Sequence, residues 1–253
     1  MTASTTIRPA KPARPSAQTA ETGAKQVATG PWYAQTWSLA LVSSLLLWVA
    51  LSPLGWSGLA WVAPIGWLLL IRSERLTGWR PYFVLWCAGL VHWLLVLEGI
   101  RTAYWALYFG WIALAMYLAC YLPAFVALTR FAVQRWRAPL VIAAPLVWAG
   151  LELFRGYFLT GFALALLGHT QVGFTPLIQV ADLAGAYMVS IVVMCVAAGI
   201  AQALPWQQAR WQWRPLLVST TVLAITLGYG VWRMREALPE ASQGEPLRVA
   251  LLQ

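Results

Sequence analysis

The chain reads as an all-α polytopic membrane protein with about seven transmembrane helices, and three observations predict that class. Sixty per cent of its residues are hydrophobic and 10% are charged, with a mean hydropathy of +0.67, whereas soluble domains carry about 25% charge. Long apolar runs recur at intervals that leave no room for a globular domain between them. Many of the seventeen Trp and nine Tyr stand at run ends, as at Trp32, Tyr33 and Trp37, at Trp79 and Tyr82, and at Trp206, Trp211 and Trp213. Amphipathic rings settle at headgroup level in that way.

Taken in order, residues 1–31 are rich in Pro, Ala, Thr and Ser and bury too little apolar surface to fold, which predicts a disordered cytoplasmic tail. The first apolar run, 34–51, begins too late and is too long for the core of a secretory signal. Further runs follow at 56–71, 81–97, 104–129, 139–154, 176–204 and 215–232, and a span needs about 17–25 residues. The second and fifth are short and borrow flanking residues. The fourth and sixth are long, with Pro123 and Gly185 as break points. Residues 32–235 form the helical domain on this reading.

The basic residues orient the bundle, because Lys and Arg are retained on the cytoplasmic side. With the N-terminus inside, the inner segments hold Arg8, Lys11, Arg14, Lys25, Arg72, Arg75, Arg80, Arg130, Arg135, Arg137, Arg210 and Arg214. These are twelve of the seventeen Lys and Arg. Arg101, Arg155, Arg233, Arg235 and Arg248 remain outside, and so do the loop 156–175 and the C-terminal tail. The net charge of +9 is then a topology signal that calls for membrane lipids as partners and not for nucleic acid.

Cys87, Cys120 and Cys195 each fall inside an apolar run and read as small buried hydrophobes, since a low dielectric suppresses the nucleophilic thiolate. Neither CxxC nor HExxH, P-loop or GxSxG spacing occurs. Metal, phosphate-cradling and serine-hydrolase chemistries therefore have no motif to rest on, and no cofactor is expected.

Polar groups concentrate between Pro145 and Ser190, where Glu152, Arg155, His169, Gln171, Gln179 and Asp182 stand at the rim of two apolar runs. A charge at membrane depth is expensive unless it is paired, hydrated or part of a site. Glu152 and Arg155 are three apart and share a helix face, as do Glu98 and Arg101. Either each couple is a neutralised pair capping its helix, or the guanidinium forks onto a lipid phosphate with the Glu holding it in position. Asp182 needs a donor, and Arg155 and His169 are the nearest by topology. His169 reads as a hydrogen-bonding loop residue before an acid–base group. Gly161, Gly168 and Gly173 punctuate a loop of apolar residues that dips against the bundle, where non-helical backbone survives only if it lines a cavity or is covered by protein. His92 and Trp93 stand one turn before Glu98, near the same outer vestibule.

The series Trp148, Glu152, Arg155, Gly161 with Phe162, Leu167 with Gly168, Gln171, Ile178 with Gln179, Asp182, Gly185, Tyr187 and Ser190 resembles the membrane domain of bacterial apolipoprotein N-acyltransferases. The segment from Leu247 through Arg248, Val249, Ala250, Leu251 and Leu252 to Gln253 looks like the first strand of the nitrilase-like α/β domain that follows the seventh span in that family. The resemblance covers residues 34–253, with 236–253 as linker and strand. One departure falls in the loop, where the family's usual Gly-Phe-Pro-Trp is replaced by Gly161, Phe162, Ala163 and Leu164, losing a rigid ring and a large one.

The resemblance implies transfer of an acyl chain from a phospholipid donor to the α-amino group of a diacylglyceryl-modified lipoprotein, in the bacterial inner membrane and on its extracytoplasmic face. A Glu–Lys–Cys triad in the nitrilase-like domain carries that covalent chemistry in the family, and it maps beyond Gln253, so no catalytic residue is expected within this chain and it is expected to be inactive alone. Trp148, Glu152, Arg155, Gly161, Phe162, His169, Gln171, Gln179, Asp182 and Tyr187 are the lipid- or substrate-binding candidates. A non-catalytic scaffold for a separate nitrilase-like subunit is the alternative. A small-molecule transporter fits less well, because the polar groups line one rim and not the midplane of broken helices.

Overall fold

The structure, a computed structural model, describes residues 32–236 apart from 52, 74–75 and 207–210. The expected tail 1–31 and the expected strand ending at Gln253 lie outside the described residues. Among the described residues every regular element is helical. Helix α1 (Trp32–Ala50) leads through a 3-10 turn (Ser57–Trp61) into α2 (Ile65–Arg72), α3 (Arg80–Val96), the short α4 (Glu98–Ala103), α5 (Leu107–Ala119), α6 (Tyr121–Arg135) and α7 (Leu140–Tyr157). Two 3-10 turns (Phe158–Thr160 and Leu167–Gln171) precede α8 (Thr175–Ile178), α9 (Ala181–Ala184), α10 (Ala186–Ala203) and α11 (Arg214–Arg235).

Among the described residues four stretches are long and apolar enough to cross a membrane: Leu107–Arg135, Leu140–Tyr157, Ala186–Ala203 and Arg214–Arg235. Gln35–Ala50, Ser57–Arg72 and Arg80–Val96 are apolar but shorter. A helix satisfies all its own backbone groups, which is why apolar runs fold this way. Proline sets several of the ends. Pro81, Pro176 and Pro215 stand in the first turns of α3, α8 and α11, where a missing N–H costs nothing. Pro123 lies further inside the chain's longest apolar stretch. It cannot donate to the carbonyl of Ala119, and the helix breaks at Cys120 between α5 and α6.

The long run 176–204 is not one helix. Gly185 takes φ +64°, a conformation that L side chains resist, and its N-terminal third folds as the separate turns α8 and α9. Only α10 is long enough to span. Cysteine burial also differs from expectation: Cys195 is buried, but Cys87 is half-buried and Cys120 exposed at the junction of two helices.

Helix α10 packs against both α7 and α11, and also against α2. The C-terminal half of its buried face is Ala197, Ala198, Gly199, Ala201 and Ala203, and small residues let helix backbones approach where lipid supplies no hydrophobic drive. A Cβ on Gly199 would meet Ser219 Oγ of α11 at 1.9 Å. Its C-terminal carbonyls are closed by Arg72, whose Nη1 donates to Ala201 O and to Leu204 O, the latter at 3.0 Å. On its other side the main core gathers Trp67, Leu68, Leu85, Phe125, Val126, Leu167 and Met194 from α2, α3, α6, the loop and α10. A loop residue in that list shows that the segment after α7 is part of the bundle.

Candidate functional site

The segment after α7 turns back on itself through three residues with positive φ: Leu159 at 49°, Gly161 at 85° and Ala165 at 52°. Glycine is required at the second, because a Cβ on Gly161 would lie 2.4 Å from the carbonyl oxygen of Gly156. Left-handed backbone at Leu159 and Ala165 is unfavourable by about 1–2 kcal/mol per residue, so tertiary contacts must hold the loop.

Those contacts come from the polar candidates. Glu152 Oε1 accepts from the backbone N–H of Leu167 at 2.7 Å and from Trp148 Nε1 at 2.8 Å. Arg155 Nη2 donates to Leu164 O at 3.1 Å, and the Phe162 N–H returns to Arg155 O at 2.8 Å. The guanidinium Cζ stands 4.9 Å from the ring centre of Trp93 and 5.9 Å from that of Phe162, and those two rings meet edge to face. Such cation–π contacts contribute about 0.5–2 kcal/mol when desolvated. Glu152 is 4% exposed and Arg155 5%, yet no salt bridge joins them among the described residues. Both charges hold the loop.

Further along, Gly168 N donates to Ser190 Oγ of α10 at 2.8 Å. A Cβ on Gly168 would meet Ala186 O at 2.4 Å. Gln171, 2% exposed, donates from Nε2 to Ser57 O at 3.0 Å and accepts from Trp61 Nε1 at 3.2 Å, tying the loop to the 3-10 turn before α2. His169 accepts from Leu166 N at its Nδ1, 3.4 Å away. Partial burial lowers its pKa below the usual 6.5, and the Arg155 charge lowers it further. Tyr187 leans over the same region, its hydroxyl 2.9 Å from where a Gly156 Cβ would stand.

Trp148, Glu152, Arg155, Gly161, Phe162, His169, Gln171 and Tyr187 are thus brought to one loop platform. Gln179 and Asp182 are not. Gln179 bonds back to Thr175 O at 3.1 Å. Asp182 pairs with Arg233 Nε at 2.7 Å and accepts from Tyr229 OH at 3.3 Å, so its donors come from α11 and not from Arg155 or His169. That correction has a geometric cause: the Gly185 turn leaves Asp182 on the exposed α9, facing the end of the last helix. Glu98 and Arg101 do form an ion pair, on the separate helix α4. The guanidinium lies 5.7 Å from the Trp111 ring centre and 6.0 Å from that of Tyr108, and an exposed pair of this kind contributes little.

Beneath the loop a cavity of about 40 Å³ opens between α1, α2, α3, α6 and α7. Glu152 and Arg155 line it together with Trp148, whose ring stacks on Trp67 at 5.6 Å. Across it His92 Nδ1 donates to Ser44 O at 3.0 Å, both residues lining the space. Sequence reasoning placed His92 and Trp93 near the vestibule but passed over Ser44, Trp67 and Tyr121. The adjacent Ser43 and Ser44, a polar step inside the first apolar run, were the available signal.

An apolar helical bundle, with a loop that folds back on it and is pinned through buried charges, defines a helical membrane domain. The chain belongs to the apolipoprotein N-acyltransferase N-terminal domain family, whose model matches residues 43–199. It is 34% identical over 209 residues to the apolipoprotein N-acyltransferase of Rhodopirellula baltica, covering 76% of this chain and 36% of that protein. It is 34% identical over 232 residues to that of Geobacter metallireducens (85% and 42%) and 27% identical over 221 residues to that of Gloeobacter violaceus (82% and 40%). The chain thus spans about two fifths of the length of these curated relatives.

Proposed function

We propose that this membrane domain is the platform on which phospholipid-to-lipoprotein N-acyl transfer takes place, with the phospholipid donor and the diacylglyceryl lipoprotein acceptor both reaching it from the bilayer. The observation that carries this reading is the family match over residues 43–199, which contains the pinned loop and the helices that hold it. All seven apolar runs cross the bacterial inner membrane in this reading, with tail 1–31 in the cytoplasm, 32–235 as the bundle, and 236–253 leading outside into a nitrilase-like domain. The basic residues of the inner segments support that orientation.

The loop 156–175 then forms the floor of the extracytoplasmic site. Glu152, Arg155, Trp148 and Gln171 hold its backbone, Gly161 gives it its turn, and Phe162, His169 and Tyr187 present its surface, while Asp182 braces the adjoining end of α11 and Gln179 closes the turn of α8. The nucleophile comes from elsewhere than the bundle. Cys87 and Cys195 sit on apolar helices and Cys120 at the junction of two, and both lysines, Lys11 and Lys25, belong to the opposite side of the membrane in this reading. A thiol without a cationic neighbour holds too little thiolate to attack an ester.

The test is a chimera in which residues 32–235 replace the membrane domain of an active relative, expressed in a strain depleted of its own enzyme. N-acylated lipoprotein should reappear, and residues 1–253 alone should yield neither that product nor a thioester-linked acyl group. A membrane-inserted chimera that fails to acylate would defeat the platform reading. Acylation by residues 1–253 alone would place the nucleophile in the bundle.

A further inference from the structure

At the C-terminal end of α11 one guanidinium joins two carboxylates from different parts of the chain. Arg233 donates from Nε to Asp182 Oδ2 at 2.7 Å and from Nη1 to Glu236 Oε2, and Tyr229 OH donates to the same Asp182 oxygen at 3.3 Å. Asp182 stands on α9, and Glu236 is the C-cap at which α11 stops. The planar fork of arginine lets one side chain hold both acids. Just before this end the helix lies hard against α8, since a Cβ on Gly230 would stand 1.7 Å from Pro176 O. Its other ties are loose. The buried residues of α11 are Pro215, Ser219, Thr226 and Gly230, and 22% of its apolar window is buried against 61% for α10. Apolar packing is non-directional, so these small residues fix how closely the helix lies but not how its last turn is rotated.

We propose that Asp182, Arg233 and Glu236 form a clamp that fixes the rotation of the last turn of α11, and with it the direction in which the chain continues beyond Glu236. The clamp ties that exit to the loop platform, because α8 and α9 follow directly on the pinned segment that ends at Gln171. The side chains of Asp182 and Arg233 are each 43% exposed, and an exposed pair contributes little to folding. Orientation, and not stability, is what it supplies. The matching family model is that of an N-terminal domain, and the chain spans about two fifths of its curated relatives, so in them the larger part of the protein has to meet this platform at a set angle. The inference rests on the platform reading given above. The three are then positioning residues that touch neither donor nor acceptor, and a reacting group misplaced by about 1 Å can lose about 10²-fold in rate.

Double electron–electron resonance reads the clamp in the full chain in nanodiscs, with spin labels at Leu146→Cys on α7 and Met234→Cys on α11 in a background free of native thiols. Both positions are exposed, at 59% and 46%. The native clamp should give one narrow distance peak, Asp182→Arg should broaden or shift it by setting like charges face to face, and Asp182→Arg combined with Arg233→Glu should restore it. Melting temperature should hold throughout. An unchanged peak in Asp182→Arg, or a double variant that stays broad, would overturn the proposal, and so would a collapse in melting temperature, which would give the pair a folding role instead. In the chimera described above, carried on to include Glu236, Asp182→Arg should lower kcat by about ten- to 10²-fold with KM unchanged, and the double variant should recover it. A clamp that opens without loss of kcat would overturn the positioning role. A chimera that is inactive with the native clamp would defeat the platform reading, while the distance measurement still decides the clamp.

Discussion

Glu152 and Leu167 are joined by a 2.7 Å hydrogen bond from the loop backbone to a buried carboxylate, across fifteen residues of chain that leave α7, turn through three left-handed positions and return to the core. The carboxylate is anchored in turn by Trp148, and the next guanidinium on the same face holds Leu164. A membrane helix has in this way placed two opposite charges where each grips backbone.

Removing one of the two charges should cost more than neutralising the other conservatively. Arg155→Ala strips the loop of a donor and leaves the Glu152 carboxylate without a nearby cation, a loss of about 3–5 kcal/mol for a desolvated partner. Glu152→Gln keeps an oxygen that can accept from Trp148 and Leu167, and should lose clearly less. Melting in detergent compares them, and equal, negligible shifts would show that both groups are exposed to bulk solvent and the charges incidental.

Close backbone packing should make some glycines irreplaceable and others free. Gly168→Ala drives a Cβ to 2.4 Å from Ala186 O, and Gly230→Ala to 1.7 Å from Pro176 O, so each should destabilise by about 1–3 kcal/mol as overpacking does. Gly150, mid-helix with nothing within 4 Å, should gain up to about 1 kcal/mol on change to Ala. A Gly230→Ala protein as stable as the native one would mean that α11 does not rest on α8.

Acidification should weaken the loop through His169. Its folded-state pKa is lowered, first by burial and then by Arg155, and the Leu166 N–H contact exists only while Nδ1 is unprotonated. Below about 6.5 the unfolded chain binds the proton that the folded one refuses, so stability falls as pH drops through that window and levels off beneath the folded pKa. The fall in melting temperature between about pH 7 and pH 5 should be smaller in His169→Gln than in the native protein. Parallel slopes would remove His169 from the account.

The proposed orientation can be read with single cysteines in a background free of native thiols. Thr170 is buried at 5% exposure and is a poor reporter, whereas Val172 is 76% exposed and Trp136 71% exposed, beyond opposite ends of α7. A membrane-impermeant maleimide should label Val172→Cys in intact cells and Trp136→Cys only after lysis. The reverse pattern would invert the bundle.

Composition and run length were enough to determine that this is an all-helical membrane domain, because continuous apolar runs of this length satisfy their backbone in lipid as helices, whereas the strands of a closed barrel are shorter and alternate apolar with polar residues. The break at Gly185 and the family series from Trp148 to Ser190 were also legible, as they depend on local geometry and on residue identity. Pairing was not. Three-residue spacing puts Glu152 and Arg155 on one face but does not say what faces them, and a loop backbone fifteen residues on competes for the same atoms. Asp182 found Arg233 fifty-one residues later, and Ser44 met His92 across two helices. Only the tertiary structure decided such partners, since a buried polar atom bonds with whatever packing brings within about 3 Å, and that depends on how whole helices stack rather than on distance along the chain.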